Sequence, residues 1–430
     1  MSGRNFYLHL PILVFAVIWL TVISLYFNNP YNFPSLLSET KLILFSGILS
    51  VFAGYYLVHY FTTSLDNKIQ QTKGALVVFD EKKMMTITGI MTILPIIGVI
   101  LAFIFILELV GGAENFFTRP LYVRHLIVEF QRSTLSNWSL AFSVSNYFIS
   151  VVYVCNLLGG VVFNFSSKWR YIGLLPIVVG AIASALFIRR YVFINAASFW
   201  LISLLFSSYY YPQVLRRKIL RRFRMILMII GIVFFGFTIV ILTLRAVTDT
   251  GMADYFIESI LSYYTGGVGA FNQMVTNNYD YTWGTTTFRS IFKWLDRLHL
   301  WDLDRIVGSQ LEFVRVGRTW LNTYTYAYSF FRDFGLIGVL IMSLIWGGLT
   351  RYIMGLTFNK YSFVKLFWSV SLTFSFLMSF YSFFFDGLTT IVFWALIAWL
   401  VDRFMRKHDV YLISSPVIEA NQNSLSLQNH

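Results

Sequence analysis

Charge is scarce in this chain. Asp, Glu, Lys and Arg together make up 12% of its 430 residues, about half the share of a soluble globular domain. Length therefore counts membrane spans here and not soluble domains. Cysteine is almost absent, with Cys155 alone inside an apolar run. That excludes an intramolecular disulfide framework and a cysteine-rich metal site, and leaves Cys155 as a small packing residue. No H-E-x-x-H, P-loop or Ser-His-Asp ordering appears in the sequence, and no metal site and no cofactor is expected. Acids are the scarcer charge, 20 against 33 Lys and Arg, which leaves a net charge of +13.

Apolar and aromatic residues are abundant, at 57% and 19% of the chain. Apolar runs of about 18 to 24 residues recur, the length that crosses a hydrocarbon core as helix. Ten such spans can be drawn, at 10–27, 42–61, 87–107, 140–163, 171–188, 192–209, 225–244, 328–350, 366–385 and 388–405. The expected fold is an all-α polytopic membrane protein with about ten transmembrane helices. The first run is followed by "NNPYNFP" and no A-x-A-like cleavage site, so it reads as a retained span.

Lys and Arg gather in alternate loops, and the loop with Arg216, Arg217, Lys218, Arg221, Arg222 and Arg224 has six basic residues and no acid. Basic loops stay cytoplasmic, which places both termini in the cytoplasm and makes the positive charge an orienting signal. Nucleic acid is not an expected partner. The chain divides into spans 1–7 with short loops (1–244), a large cap loop on the outer side (245–327), spans 8–10 (328–408) and a polar tail (409–430).

Basic residues on the outer side oppose the orienting rule. The loop at 108–139 carries Arg119, Arg124 and Arg132, and the turn between the fifth and sixth spans is Arg189-Arg190. Headgroup contact and snorkelling are the plain alternative for these groups. The cap adds Arg289, Lys293 and Arg297 at i, i+4 and i+8, one stripe on a helix, and then Arg315 and Arg318 before the eighth span. Arginine forks suit bidentate phosphate contacts, and a pyrophosphate at the membrane surface is the ligand such a set fits.

Asp333-Phe334-Gly335 has no kinase companions in the chain and carries no nucleotide argument. Its position at the start of the eighth span places Asp333 where a helix dipole favours an acid. The alternative is that Asp333 orients an arginine or, as Glu312 also could, accepts a proton from a hydroxyl. The glycine-rich "YYTGGVGAFNQM" reads as a turn into a short amphipathic helix. His299, the one histidine of the cap, is more often structural than basic at such a position.

The stretch "RTWLNTYTYAYSFFRDFGLIGVLI", with Asn322, Tyr324, Thr325, Asp333, Phe334, Gly335 and Gly338, resembles the oligosaccharide repeat-unit (O-antigen) polymerases of bacterial envelopes. "TWGTTTF" (282–288) and the Arg189-Arg190 turn resemble the same family, although "LFIRRY" lacks its G-S-R-like triplet. The motif match is confined to about 30 residues. The resemblance implies a GT-C-like helical fold with its large loop in the periplasm of the bacterial inner membrane. It implies metal-independent transfer of a glycan from undecaprenyl pyrophosphate onto a second lipid-linked repeat, and a chain-length regulator as partner. Asp333 and Glu312 are then the candidate catalytic carboxylates. Arg119, Arg124, Arg132, Arg189, Arg190, Arg289, Arg315, Arg318, Asn322 and Tyr324 are the candidate binding residues. A lipid-linked oligosaccharide flippase and an O-antigen ligase are the competing readings.

Overall fold

The computed structural model describes residues 3–28, 33–70, 81–132, 140–165, 170–187, 191–210, 252–276, 281–300, 314–316, 319–321, 323–359, 362–382 and 387–405, with four isolated residues between 225 and 236. The chain is an all-α multi-pass membrane protein. Among the described residues seven helices are long and apolar enough to cross a membrane, and two shorter apolar helices accompany them. The expected seventh span, 225–244, lies outside the described residues apart from those isolated positions.

The membrane helices are α1 (Gly3–Asn28), α2 (Ser38–Gln70), α3 (Glu81–Val110), α6 (Leu140–Ser150) running on as α7 (Val152–Phe165), α8 (Leu175–Leu186) and α9 (Tyr191–Ser207). Between α3 and α6 lie two helices of the 108–139 loop, α4 (Ala113–Thr118) and α5 (Pro120–Arg132). After the undescribed stretch come α10 (Met252–Thr276), α11 (Arg289–Arg297), α12 (Ala327–Asn359), α13 (Phe363–Leu377) and α14 (Leu388–Met405). One short antiparallel hairpin, β1 (Val314–Val316) and β2 (Thr319–Leu321), precedes α12.

Helices α2 and α12 form the longest packed pair. Gly47 faces Val339, Gly54 faces Leu344, and Gly348 faces Val58, so the numbering rises together and the helices run parallel. Backbones approach so closely that a Cβ on Gly54 would lie 1.9 Å from the Leu344 carbonyl oxygen, and one on Gly347 would lie 2.1 Å from that of Val51. Small residues are how helices meet inside a bilayer, where water expulsion supplies no drive. Helices α7 and α9 repeat the device, with Gly160 against the Trp200 carbonyl and Ser203 Oγ donating to the Leu157 carbonyl at 2.6 Å.

Tyr7 of α1 packs on Phe358 at the end of α12, while Trp19 Nε1 donates to Ser379 Oγ at 2.9 Å. Asp402 of α14 accepts from the Phe363 amide at 2.7 Å and from Ser362 Oγ at 3.2 Å, capping α13. Hence Gly3, the end of α12, the start of α13 and Met405 share one face. The start of α12, the end of α13 and the start of α14 share the other, here called the cap face.

The cap is more ordered in its plan than the short helices and turns expected. Its glycine-rich stretch is not a turn: Gly266, Gly267 and Gly269 lie within α10, and each lets that helix touch a neighbour, Leu321, the Phe380 carbonyl and Val316 respectively. Asn272 fixes α10 to the α1–α2 connection, its Oδ1 accepting from the Leu37 amide at 2.9 Å and its Nδ2 donating to the Ser35 carbonyl at 3.3 Å. The hairpin was not expected either. Residues "VRV" and "TWL" pair because side chains on one face, Val316 and Leu321, are buried against α10.

Candidate functional site

Residues of the DFG triplet occupy the junction of cap and membrane. Helix α12 does not run straight into the bilayer. It breaks at Gly335, whose φ of 63° and ψ of −154° are non-helical, a region open essentially to glycine alone. A Cβ there would also stand 2.8 Å from Tyr281 Oη. The break separates the short opening piece, Ala327 to Phe334, from the long membrane helix. Substituting Gly335→Ala is expected to cost about 2 kcal/mol from backbone strain alone. The check is the melting temperature of the purified protein, which should fall; an unchanged value would mean that α12 tolerates straightening.

This break turns Asp333 toward the cap. Its side chain is fully buried, at 0% exposure. One carboxylate oxygen accepts from Thr282 Oγ1 and from the Thr286 amide at 3.0 Å, and the other accepts from the Thr287 amide at 2.7 Å. The Thr282 amide in turn donates to the Arg332 carbonyl at 3.0 Å. Phe288 N bonds the Gly284 carbonyl and Phe292 N the Phe288 carbonyl, so a helical path runs from this turn into α11. Amides of a first turn have no partner within their own helix. Asp333 supplies it from another element, a cap in trans. The turn needs such a clamp because Trp283 and Gly284 both hold positive φ, 48° and 94°.

Asp333 is expected from the sequence as an acid favoured by the dipole of its own helix, as a group that orients an arginine, or as a base. The structure places it instead at the amide end of a different helix, with both oxygens engaged and no solvent exposure. In this geometry Asp333 is a positioning residue. Beside it, Thr287 Oγ1 is buried with no hydrogen-bond partner among the described residues, and so is Thr325 Oγ1. Tyr281 and Trp283 flank the turn at 53% and 74% exposure, their rings 6.2 Å apart edge to face.

Arg289 opens α11 directly after the clamped turn and is half-buried. Helix α11 rests on α14. The same helix α14 contributes Thr390 and Trp394 to a cavity of about 200 Å³ that Asn146, Ser150, Tyr153 and Tyr191 also line. Trp394 Nε1 donates to Ser150 Oγ at 3.2 Å across it. Phe187 after the end of α8 and Tyr191 and Val192 at the start of α9 also line it, while Arg189 and Arg190 lie outside the described residues.

The remaining expected residues fall into two groups. Arg315 is exposed on β1, and its carbonyl accepts from Gln273 of α10. Tyr324 is buried in the core and stacks on Tyr328 with ring centroids 4.1 Å apart. Arg119 and Arg124 belong to the other group: Arg119 ends α4 exposed, Arg124 is half-buried on α5, and both helices pack against α3. Arg132 ends α5. Glu312, Arg318 and Asn322 lie outside the described residues, as do Arg189 and Arg190. His299 is exposed with φ of 56°, its amide bonded to the Asp296 carbonyl, and serves to end α11. Among the described residues no three His, Cys, Asp or Glu side chains stand together as a metal site.

Fold and site define a multi-pass α-helical membrane protein with a folded cap pinned to one face. Comparisons with family models, with curated proteins and with solved structures find no match for this chain.

Proposed function

We propose that the protein is a glycosyltransferase that polymerises lipid-linked oligosaccharide repeats on its cap face, the face that would be periplasmic in a bacterial inner membrane. The observation that carries this reading is the trans cap. Asp333 holds the turn before Arg289 against the mouth of α12, while α11 rests on the helix that lines the amide- and hydroxyl-bearing cavity. The half-buried Arg289 thereby opens a helix that is clamped at its start and that contacts a helix lining a cavity with sugar-compatible donors and acceptors.

The proposed reaction breaks the bond between the anomeric carbon of the growing glycan and its undecaprenyl pyrophosphate, and joins that carbon to a hydroxyl of a second lipid-linked repeat. Negative charge grows on the departing pyrophosphate oxygen, and a guanidinium fixed before the reaction stabilises that charge more than the ground state. Arg289 takes this role in the proposal; Arg189 and Arg190 lie outside the described residues. The exposed Tyr281 and Trp283 rings suit contact with the glycan. A base would come from Glu312 and not from Asp333, whose oxygens are already engaged.

The test uses purified full chain with a synthetic undecaprenyl-pyrophosphate-linked repeat. Wild type is expected to give a ladder of longer products. Arg289→Ala is expected to insert normally and to lose about 100-fold or more in rate, the usual cost of removing one such donor. A ladder of normal rate and length from that variant would overturn the assignment of Arg289. Transfer of the glycan only to lipid A core would favour the ligase reading, and lipid translocation without transfer would favour the flippase.

A further inference from the structure

Helix α11 shows its sides the wrong way round for a helix in water. Phe288, Ile291, Leu295 and Leu298 recur at i, i+3, i+7 and i+10, which is one stripe at about 100° per residue. The Phe288 carbonyl already accepts from the Phe292 amide, so Phe288 belongs to the helical path. Phe288, Ile291 and Leu298 are exposed at 37%, 41% and 57%, and Leu300 just beyond them at 69%. The packed side carries small polar groups instead, with Thr287 and Ser290 buried. By the same count the basic positions 289, 293 and 297 fall opposite the apolar stripe. A surface helix ordinarily turns its apolar side to the core. This one turns it outward.

The height of α11 follows from what it is tied to. Phe334 stands between the turn that leads into α11 and the membrane helix α12. A Cβ on Gly284 would lie 3.5 Å from its ring, and one on Gly338 would lie 3.3 Å from it. From that level onward Ile337, Ile341 and Ile345 are exposed along α12, and isoleucines so placed on a membrane span face lipid. The opening of α11 therefore sits within about one helical turn of the hydrocarbon, and the helix goes on to contact a second span, α14. We infer that α11 lies in the plane of the membrane, with Phe288, Ile291 and Leu298 sunk into the cap-side leaflet. Interfacial helices bury their apolar side about 5 to 10 Å deep at the headgroup boundary and keep Lys and Arg on the other. Continuity with the lipid-facing surface of α12 selects lipid as the occupant over a second copy of the chain or another segment of it. The inference does not rest on the glycosyltransferase reading.

Spin labelling of the full chain in phosphatidylethanolamine–phosphatidylglycerol vesicles tests it. The native Cys155 is fully buried, and the parent chain taken through the same labelling is the blank. Single nitroxides are attached at Ile291→Cys and at Leu298→Cys, with Asp296→Cys, off the stripe, as the reference. Power saturation compares collisions with oxygen, which dissolves in acyl chains, and with a neutral nickel chelate, which stays in water. At 291 and 298 the oxygen-to-nickel ratio is expected to exceed that at 296 by about threefold or more, because apolar depth favours one reagent and excludes the other. Equal ratios at the three positions would place the stripe in water and overturn the inference. Few collisions with either reagent at 291 and 298 would mean that protein covers the stripe, and would overturn it as well.

Discussion

Replacing Asp333 by Ala is expected to loosen the cap from the membrane bundle. The change removes three hydrogen bonds to an ionised group at once and leaves the Thr286 and Thr287 amides buried without acceptors. Bonds to charged groups contribute about 1.5 to 3 kcal/mol each and do not add fully, so a loss of about 4 kcal/mol is expected. Limited proteolysis reads the effect directly, because 282–297 should become cleavable in the variant while the membrane helices stay protected. Asp333→Asn should fall between the two. An amide has one acceptor oxygen, and its NH2 group would face a backbone N–H. These outcomes separate positioning from proton transfer. A residue acting purely as a base would leave the cap as resistant as in wild type while activity vanished.

Gly54→Ala is expected to be as damaging by a different route. The added carbon would sit 1.9 Å from a backbone carbonyl of α12, and backbone cannot rotate aside as a side chain can. Parting α2 from α12 would forfeit contacts along the whole pair, including those of Tyr326 and Val339 with Gly47 and of Val58 with Gly348. Overpacking ordinarily costs about 1 to 3 kcal/mol, and a clash with main chain belongs at or above the top of that range. Thermal unfolding in detergent should show a large drop. Gly89→Ala, at a helical glycine with open space around it, is the matched control and should change little. Similar melting for the two variants would mean that the parallel pair does not set stability.

Spans were legible because a run of apolar residues is a local signal that the bilayer turns directly into helix. Nine of the ten expected runs coincide with described helices, and the tenth falls on 225–244. The cap was legible as a long segment between two spans but not in its form. Glycines 266, 267 and 269 read as a turn by composition, yet their use is close approach to Leu321, Phe380 and Val316, partners that no local window contains. Asp333 is a second case. Its donors lie 46 to 51 residues earlier, and only the break at Gly335 aims it at them. A glycine two residues after an acid at a helix mouth was the available signal. Arg351 was passed over although it stood in view. A lone arginine after 17 residues that carry no charge, from Phe334 to Thr350, in a chain with a histidine late in the second run, marked a polar cluster within the membrane bundle, where Arg351 Nε donates to His59 Nδ1.

Parallel alignment of α2 and α12 carries a consequence for how the molecule is made. The groove on α2 that receives α12 emerges from the ribosome roughly 13 to 50 seconds before its filler, given some 257 intervening residues and elongation of about 5 to 20 per second. Through that interval the glycine faces of the early helix meet only lipid or the insertion machinery. Seating of α12 is therefore a late, long-range event that seals the bundle, and a nascent chain cut short ahead of residue 327 would carry an unfilled groove that surveillance proteases can recognise.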